Sequence, residues 1–120
     1  MTEEERVERA KALHKQGYNC CQSVVMAYAD KLPIASEDAM NVAAPFGRGL
    51  SGCRELCGCV SGMAMVCGLT GHTADVRPLV EKFREEEGDI VCGRLLQMGK
   101  RPCNTMVGDA AGMLADIVEK

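Results

Sequence analysis

The chain contains no tryptophan, two tyrosines and two phenylalanines. With 3 % aromatic residues against 47 % hydrophobic ones, its core has to be built from Met, Leu, Val, Ile, Ala and Cys. No Cys-x-x-Cys pair occurs among the eight cysteines, so neither a thioredoxin-type dithiol, a zinc-ribbon knuckle nor a C-x-x-C-H haem attachment can be read. No block of like charge is present either. The 14 basic and 17 acidic residues are interspersed to a formal net charge of −3, which argues against a nucleic-acid partner. No apolar run is long and glycine-free enough to span a membrane, and the start Met1-Thr2-Glu3-Glu4-Glu5 is the opposite of a secretory signal's basic opening. These absences predict a soluble, cytoplasmic protein. Eight cysteines in a reducing compartment then point to metal binding or redox chemistry rather than to a disulfide framework. No repeat, low-complexity tract or long linker divides the chain, and residues 1–120 read as one domain.

What the chain does have is concentrated between Gly47 and Leu69, which hold half of the cysteines and much of the glycine. At 3.6 residues per turn, Leu56, Cys59, Val60, Met63 and Cys67 fall on one apolar stripe, and Cys57, Ser61, Ala64 and Gly68 on a neighbouring stripe of small groups. No charge interrupts Leu56 to Leu69, so this helix is expected to be enclosed by others. The fold class that follows is all-α, a single bundle of about five to seven helices around this central Gly/Cys-rich one, with Cys57 where another backbone comes close. Just before it, Gly47, Gly49 and Gly52 match G-x-G-x-x-G. The preceding Val42-Ala43-Ala44-Pro45-Phe46 is short and proline-broken, and nothing downstream alternates as βαβ units do. The motif therefore reads as a flexible turn that lets backbones approach, not as a dinucleotide site.

The flanking segments carry their own start and stop signals. Thr2 with Glu5 is a capping box for a helix carrying Val7, Ala10, Leu13 and His14, which Gly17 closes; Asn19 with Gln22 repeats the signal for a second helix to about Lys31. Pro33 breaks the chain, and Ser36 starts a short helix that ends before Pro45. Val76, Leu79, Val80 and Phe83 mark an amphipathic segment with Glu85, Glu86 and Glu87 as a solvated end. Asp89 caps a helix that carries Cys92 and is closed by Gly99, and Asn104 caps a last one with Met106, Ala110, Met113, Leu114 and Ile117 inward. His14 and His72 read as packed or exposed residues rather than ligands.

Position divides the cysteines into two kinds. Cys21, Cys59 and Cys67 occupy core spacings and need no chemistry. Cys20, Cys92 and Cys103 lie at or just before helix starts, the last two beside Arg or Lys, and Cys57 lies on the small face of the central helix. Cys53 stays ambiguous, four residues before Cys57. An unperturbed thiol near pKa 8.5 is only about 3 % thiolate at pH 7, and a shift of about 1.5 units makes it roughly half thiolate. Free N–H groups of a helix start and a guanidinium favour that shift. On one continuous helix Cys57 and Cys59 would lie about 200° apart and could not face one metal.

Gly17-Tyr18-Asn19-Cys20, the run Cys57-Gly58-Cys59-Val60-Ser61-Gly62, and the later Cys92 and Cys103 resemble the redox-active family named for its C-GCAxxG-C-C cysteine pattern, which is related to the carboxy-terminal region of split-Soret cytochromes. The resemblance covers nearly the whole chain and aligns the family's four cysteines with Cys20, Cys57, Cys92 and Cys103. The chain departs from the pattern at Cys59, where alanine is usual, and at Cys21. What the resemblance implies is redox activity of unsettled type on a small helical fold, with oxidoreductase as one candidate class and the enzyme question open. Two versions stand open: thiol and disulfide exchange, with Cys20 attacking and Cys57 resolving, and electron transfer through an iron–sulfur cluster on Cys20, Cys57, Cys92 and Cys103. The haem-binding part of the cytochromes is not present. The rival from another class is a non-catalytic zinc-binding structural or interaction module on the same four thiolates. The expected partner is a redox protein of unknown identity, with the oligomeric state open between monomer and homodimer.

Overall fold

Thr2 Oγ1 accepts from the Glu5 backbone N–H at 3.1 Å while Glu5 Oε1 accepts from that of Thr2 at 2.8 Å. Asn19 and Gln22 make the same reciprocal pair at 2.9 and 3.1 Å. These two capping boxes open α1 (Glu3–Lys15) and α2 (Cys20–Met26). After them come α3 (Ser36–Ala43), α4 (Gly58–Leu69), α5 (Val76–Glu87), α6 (Cys92–Met98) and α7 (Cys103–Val118), joined by short turns. The computed structural model describes residues 1–119, and Lys120 of the expected domain lies outside them. Among the described residues the only β pairing is an isolated bridge between Leu56 and Val91, so the protein is an all-α bundle. No described helix is long and apolar enough to cross a membrane.

The apolar helix α4 sits at the centre, packed on α2, α5 and α7. Gly58, Cys59, Val60, Gly62, Met63, Val66 and Cys67 are its buried residues. It begins two residues later than its periodicity suggests. Leu56 is 41 % exposed and bridges Val91, because backbone pairing with residues 90–93 outcompetes another helical turn there. α1 lies along α7, where glycines let the helices approach: a Cβ on Gly108 would fall 2.9 Å from the Lys11 side chain.

A buried arginine ties three helices together. Arg6 on α1 is 0 % exposed; its guanidinium lies 4.5 Å from the Tyr28 ring centroid, donates to the Ala27 carbonyl at 2.8 Å, and pairs with Asp30 and Glu119. The Ala27 contact explains why α2 stops at Met26 instead of reaching Lys31. Its carbonyl is held by Arg6, and Lys31 N–H turns to Tyr28 O at 2.8 Å, leaving one 3-10 turn, Ala29–Lys31. Arg6→Ala is expected to lower unfolding free energy by about 2–4 kcal/mol in urea titrations, with Arg6→Lys in between.

The α5 terminus is not solvated throughout. Glu85 and Glu86 are exposed, but Glu87 is 3 % exposed, with Oε2 2.8 Å from Arg101 Nε and Asp109 nearby. It faces inward because Gly88, at φ +97°, turns the chain back over it. Burial first and Asp109 next push its pKa up to about 7, with Arg101 opposing. A carboxyl whose pKa is raised on folding costs stability as pH climbs from its unfolded value, near 4.3, to its folded one. The parent protein should therefore lose melting temperature between about pH 5 and about 7, and Glu87→Gln should flatten that loss; an unchanged slope would contradict the assignment.

Candidate functional site

Four helices begin around one pocket, each with a cysteine at its start. Cys20 is the first residue of α2, Cys57 caps α4, Cys92 opens α6 and Cys103 opens α7. All four line a pocket of about 370 Å³, together with Cys59. The sequence expectation placed Cys57 inside the central helix. Instead its N–H donates to Ile90 O at 2.8 Å, Cys92 N–H to Glu55 O at 2.6 Å and Gly93 N–H to Arg54 O at 3.0 Å. This short antiparallel pairing sets Cys57 and Cys92 on neighbouring strands of chain. With Cys57 off the helix, the 200° separation from Cys59 no longer applies, and both face the pocket.

The α2–α4 crossing explains the glycines of Cys57-Gly58-Cys59-Val60-Ser61-Gly62. A Cβ on Gly58 would lie 2.3 Å from Cys20 Sγ, and one on Gly62 3.0 Å from Val24 Cβ and 3.2 Å from Cys21 O. Spaced by four residues, they share one helix face and let α2 lie directly on α4. The glycines ahead of α4 serve a second close approach. A Cβ on Gly47 would strike Asn19 Cγ at 2.2 Å. Residues 48–51 form one left-handed turn: φ is 57° at Arg48, 65° at Gly49, 72° at Leu50 and 50° at Ser51. Bonds from Ser51 N–H to Gly47 O (3.0 Å), Gly52 N–H to Arg48 O (3.1 Å) and Glu55 N–H to Gly49 O (2.9 Å) hold it, so the expected flexible turn is a tied one. Left-handed geometry costs about 1–2 kcal/mol at each non-glycine residue. Here it aims the Arg48 N–H at the Cys20 sulfur.

The Cys20 thiol is pulled down to about 6, mainly by the Cys59 thiol as donor, then by the N–H groups of Arg48, Cys21 and Cys20 itself, against desolvation. At pH 7 it is then about nine-tenths thiolate. Cys57 is also lowered, by the Cys59 thiol and the N–H groups of Cys59 and Val60, with the neighbouring Cys20 charge opposing. Cys59 is raised well above the ordinary range, because its proton serves both neighbours. Cys103 is exposed as a residue, yet desolvation at the pocket wall and the charges of Cys20, Cys57 and Cys92 hold its thiol up, contrary to the lowering expected at a helix start. Arg54 Nη1 stands 3.7 Å from Cys92 Sγ. His14 is half-buried on the pocket wall, lowered by burial, with Nδ1 3.2 Å from Asn104 Nδ2. Asn104 thus joins α7 to α1 rather than capping α7, whose cap position is Pro102.

Cys21 and Cys67 are buried core thiols. Burial pushes Cys21 up to about 12 and Cys67 to about 11, as core residues should be, and exposed Cys53 lies outside the pocket. Cys59 was assigned with them. It is 1 % exposed, as a core residue would be, and it is also the thiol that links Cys20 to Cys57. Only a helix start placed at Gly58 would have revealed it. Arg48 and Arg54 were missed for the same reason, lying in a turn that periodicity does not describe.

Among the described residues no group of three or more His, Cys, Asp or Glu side chains is spaced to hold one metal ion. The alkylation rate of Cys20 should titrate with a midpoint near pH 6. Cys59→Ala should move it toward the ordinary thiol value of about 8.5, and Cys59→Ser, which keeps a donor, less far; an immobile midpoint would exclude Cys59 as the cause.

No curated protein and no solved structure matches the chain. The family model described as "Putative redox-active protein (C_GCAxxG_C_C)" matches residues 18–117, which span the second capping box, the central glycine–cysteine run and both later cysteines. With most of its length covered, the chain belongs to this family of redox-active proteins.

Proposed function

We propose that the protein is a thiol–disulfide oxidoreductase in which Cys20 attacks and Cys57 resolves. The observation that carries this reading is that Cys20, Cys57 and Cys59 line one pocket, with the Cys20 sulfur 2.3 Å from where a Cβ on Gly58, the residue after Cys57, would stand; in that setting both the Cys20 and the Cys57 thiols are lowered. An attacking thiol works best when its pKa lies near ambient pH, low enough to be ionised and high enough to stay nucleophilic. The Cys20 thiolate attacks one sulfur of a substrate disulfide; that S–S bond breaks and the first thiolate leaves. Cys57 then attacks the Cys20 sulfur of the mixed disulfide, and the second thiolate leaves. The substrate gains two electrons, and the protein keeps a Cys20–Cys57 disulfide, which a thiol reductant reopens.

An iron–sulfur cluster or zinc on Cys20, Cys57, Cys92 and Cys103 is the rival reading, and the spacing of the side chains lends it less support. The two differ in what anaerobic purification returns. The exchange reading expects no stoichiometric iron or zinc, no visible absorption band, and loss of two titratable thiols per chain on mild oxidation. Peptide mapping should place the new bond between Cys20 and Cys57. Cys20→Ser should abolish it, and Cys57→Ser should leave a stable mixed disulfide on Cys20. Four equivalents of cluster iron, or an adduct on Cys53 in place of Cys20, would defeat the proposal.

A further inference from the structure

The charges around the pocket are at odds with the chain as a whole. Acidic residues outnumber basic ones by 17 to 14, yet the described residues lining the pocket include Arg48, Arg54 and His14 and neither Asp nor Glu. Both arginines are exposed, and among the described residues neither has a carboxylate within ion-pair distance, although seven other ionic groups of positive charge do. Apart from the 3.7 Å contact of Arg54 Nη1 with Cys92 Sγ, the described residues give these guanidiniums no anionic partner. They leave capacity for a further anion, because a guanidinium presents five donors. The same pocket is lined by the apolar side chains of Leu95, Leu96 and Met106. At about 370 Å³ the space is of small-molecule size.

We infer that the disulfide reduced here is a low-molecular-weight one carrying carboxylates, an inference that rests on the exchange reading above. The carboxylates lie toward Arg48 and Arg54, the apolar stem crosses Leu95 and Met106, and the S–S bond reaches Cys20. The leaving group is an anionic thiolate. It departs into the field of the two arginines, which stabilise the negative charge that the broken S–S bond places on it. The balance is that of the exchange itself: one substrate disulfide is reduced to two thiols, and one protein dithiol is oxidised to one disulfide.

The test uses the full reduced chain and three alkyl disulfides of different charge: oxidised glutathione, hydroxyethyl disulfide and cystamine. Each rate is divided by that of free cysteine with the same reagent, which removes differences in intrinsic reactivity. Oxidised glutathione should react about tenfold faster than cystamine on this scale, and raised salt should shrink the ratio. The double variant Arg48→Gln with Arg54→Gln should lose most of that preference while still reacting with the neutral reagent. If it fails to fold, the salt dependence of the unmodified chain decides alone. A flat or reversed charge preference, or one insensitive to salt and to both arginines, overturns the inference and leaves the exchange reading intact. Reaction with the disulfides of folded insulin but with none of the three small reagents also overturns it. Failure of every disulfide, insulin included, to oxidise Cys20 would remove the exchange reading itself.

Discussion

The sulfur of Cys20 occupies the space that a side chain at residue 58 would need, at 2.3 Å from where its first carbon would stand. That exclusion fixes how α2 meets α4. Once the two starts are superposed, the backbone N–H groups of both are within reach of the same few sulfur atoms. Gly62, one turn further, extends the close fit along the helix pair so that the overlap is a property of the packing and not of one rotamer. Everything electrostatic at the site is downstream of this contact.

Burial alone would make the pocket a poor place for a thiolate, and it does so for Cys21, raised to about 12 one residue from Cys20. Two neighbours in sequence are therefore pushed in opposite directions, Cys20 down and Cys21 up. The contrast comes from direction. Cys21 points among aliphatic groups and Met65, whereas Cys20 points at N–H donors, one of them from the left-handed turn, and at Cys59. Cys59 retains its proton and donates it to both neighbours, so negative charge is favoured on Cys20 and Cys57 while the thiol between them stays neutral. Such groups titrate as a set, and their apparent values belong to the set.

Much of this arrangement was legible in the residues. The two capping boxes, the glycine stops and the enclosed apolar helix all follow from local rules, and each is found in the structure. The positions of Cys20, Cys92 and Cys103 at helix starts were readable in the same way. What helical periodicity could not convey was competition between local and long-range pairing. Leu56 continues an apolar stripe, but a bridge to Val91 captures it, and Cys57 consequently leaves the helix. Glu87 ends a run of glutamates that reads as solvent-facing, but the fold brings Arg101 from a segment 14 residues away to cover it. Arg6, unremarked in an acidic first helix, is wholly buried because its partners come from residues 27, 30 and 119.

The left-handed segment at residues 48–51 sets reactivity against heat tolerance. Glycine relieves steric cost where φ is positive, so exchanging Leu50 or Ser51 for it is expected to remove local strain. The same change would give the backbone freedom to swing its amide away from Cys20. A lineage living in warm surroundings would thus face opposing pressures on a handful of loop residues, and a chemist seeking a hardier variant should leave them alone and work on the far side of the bundle.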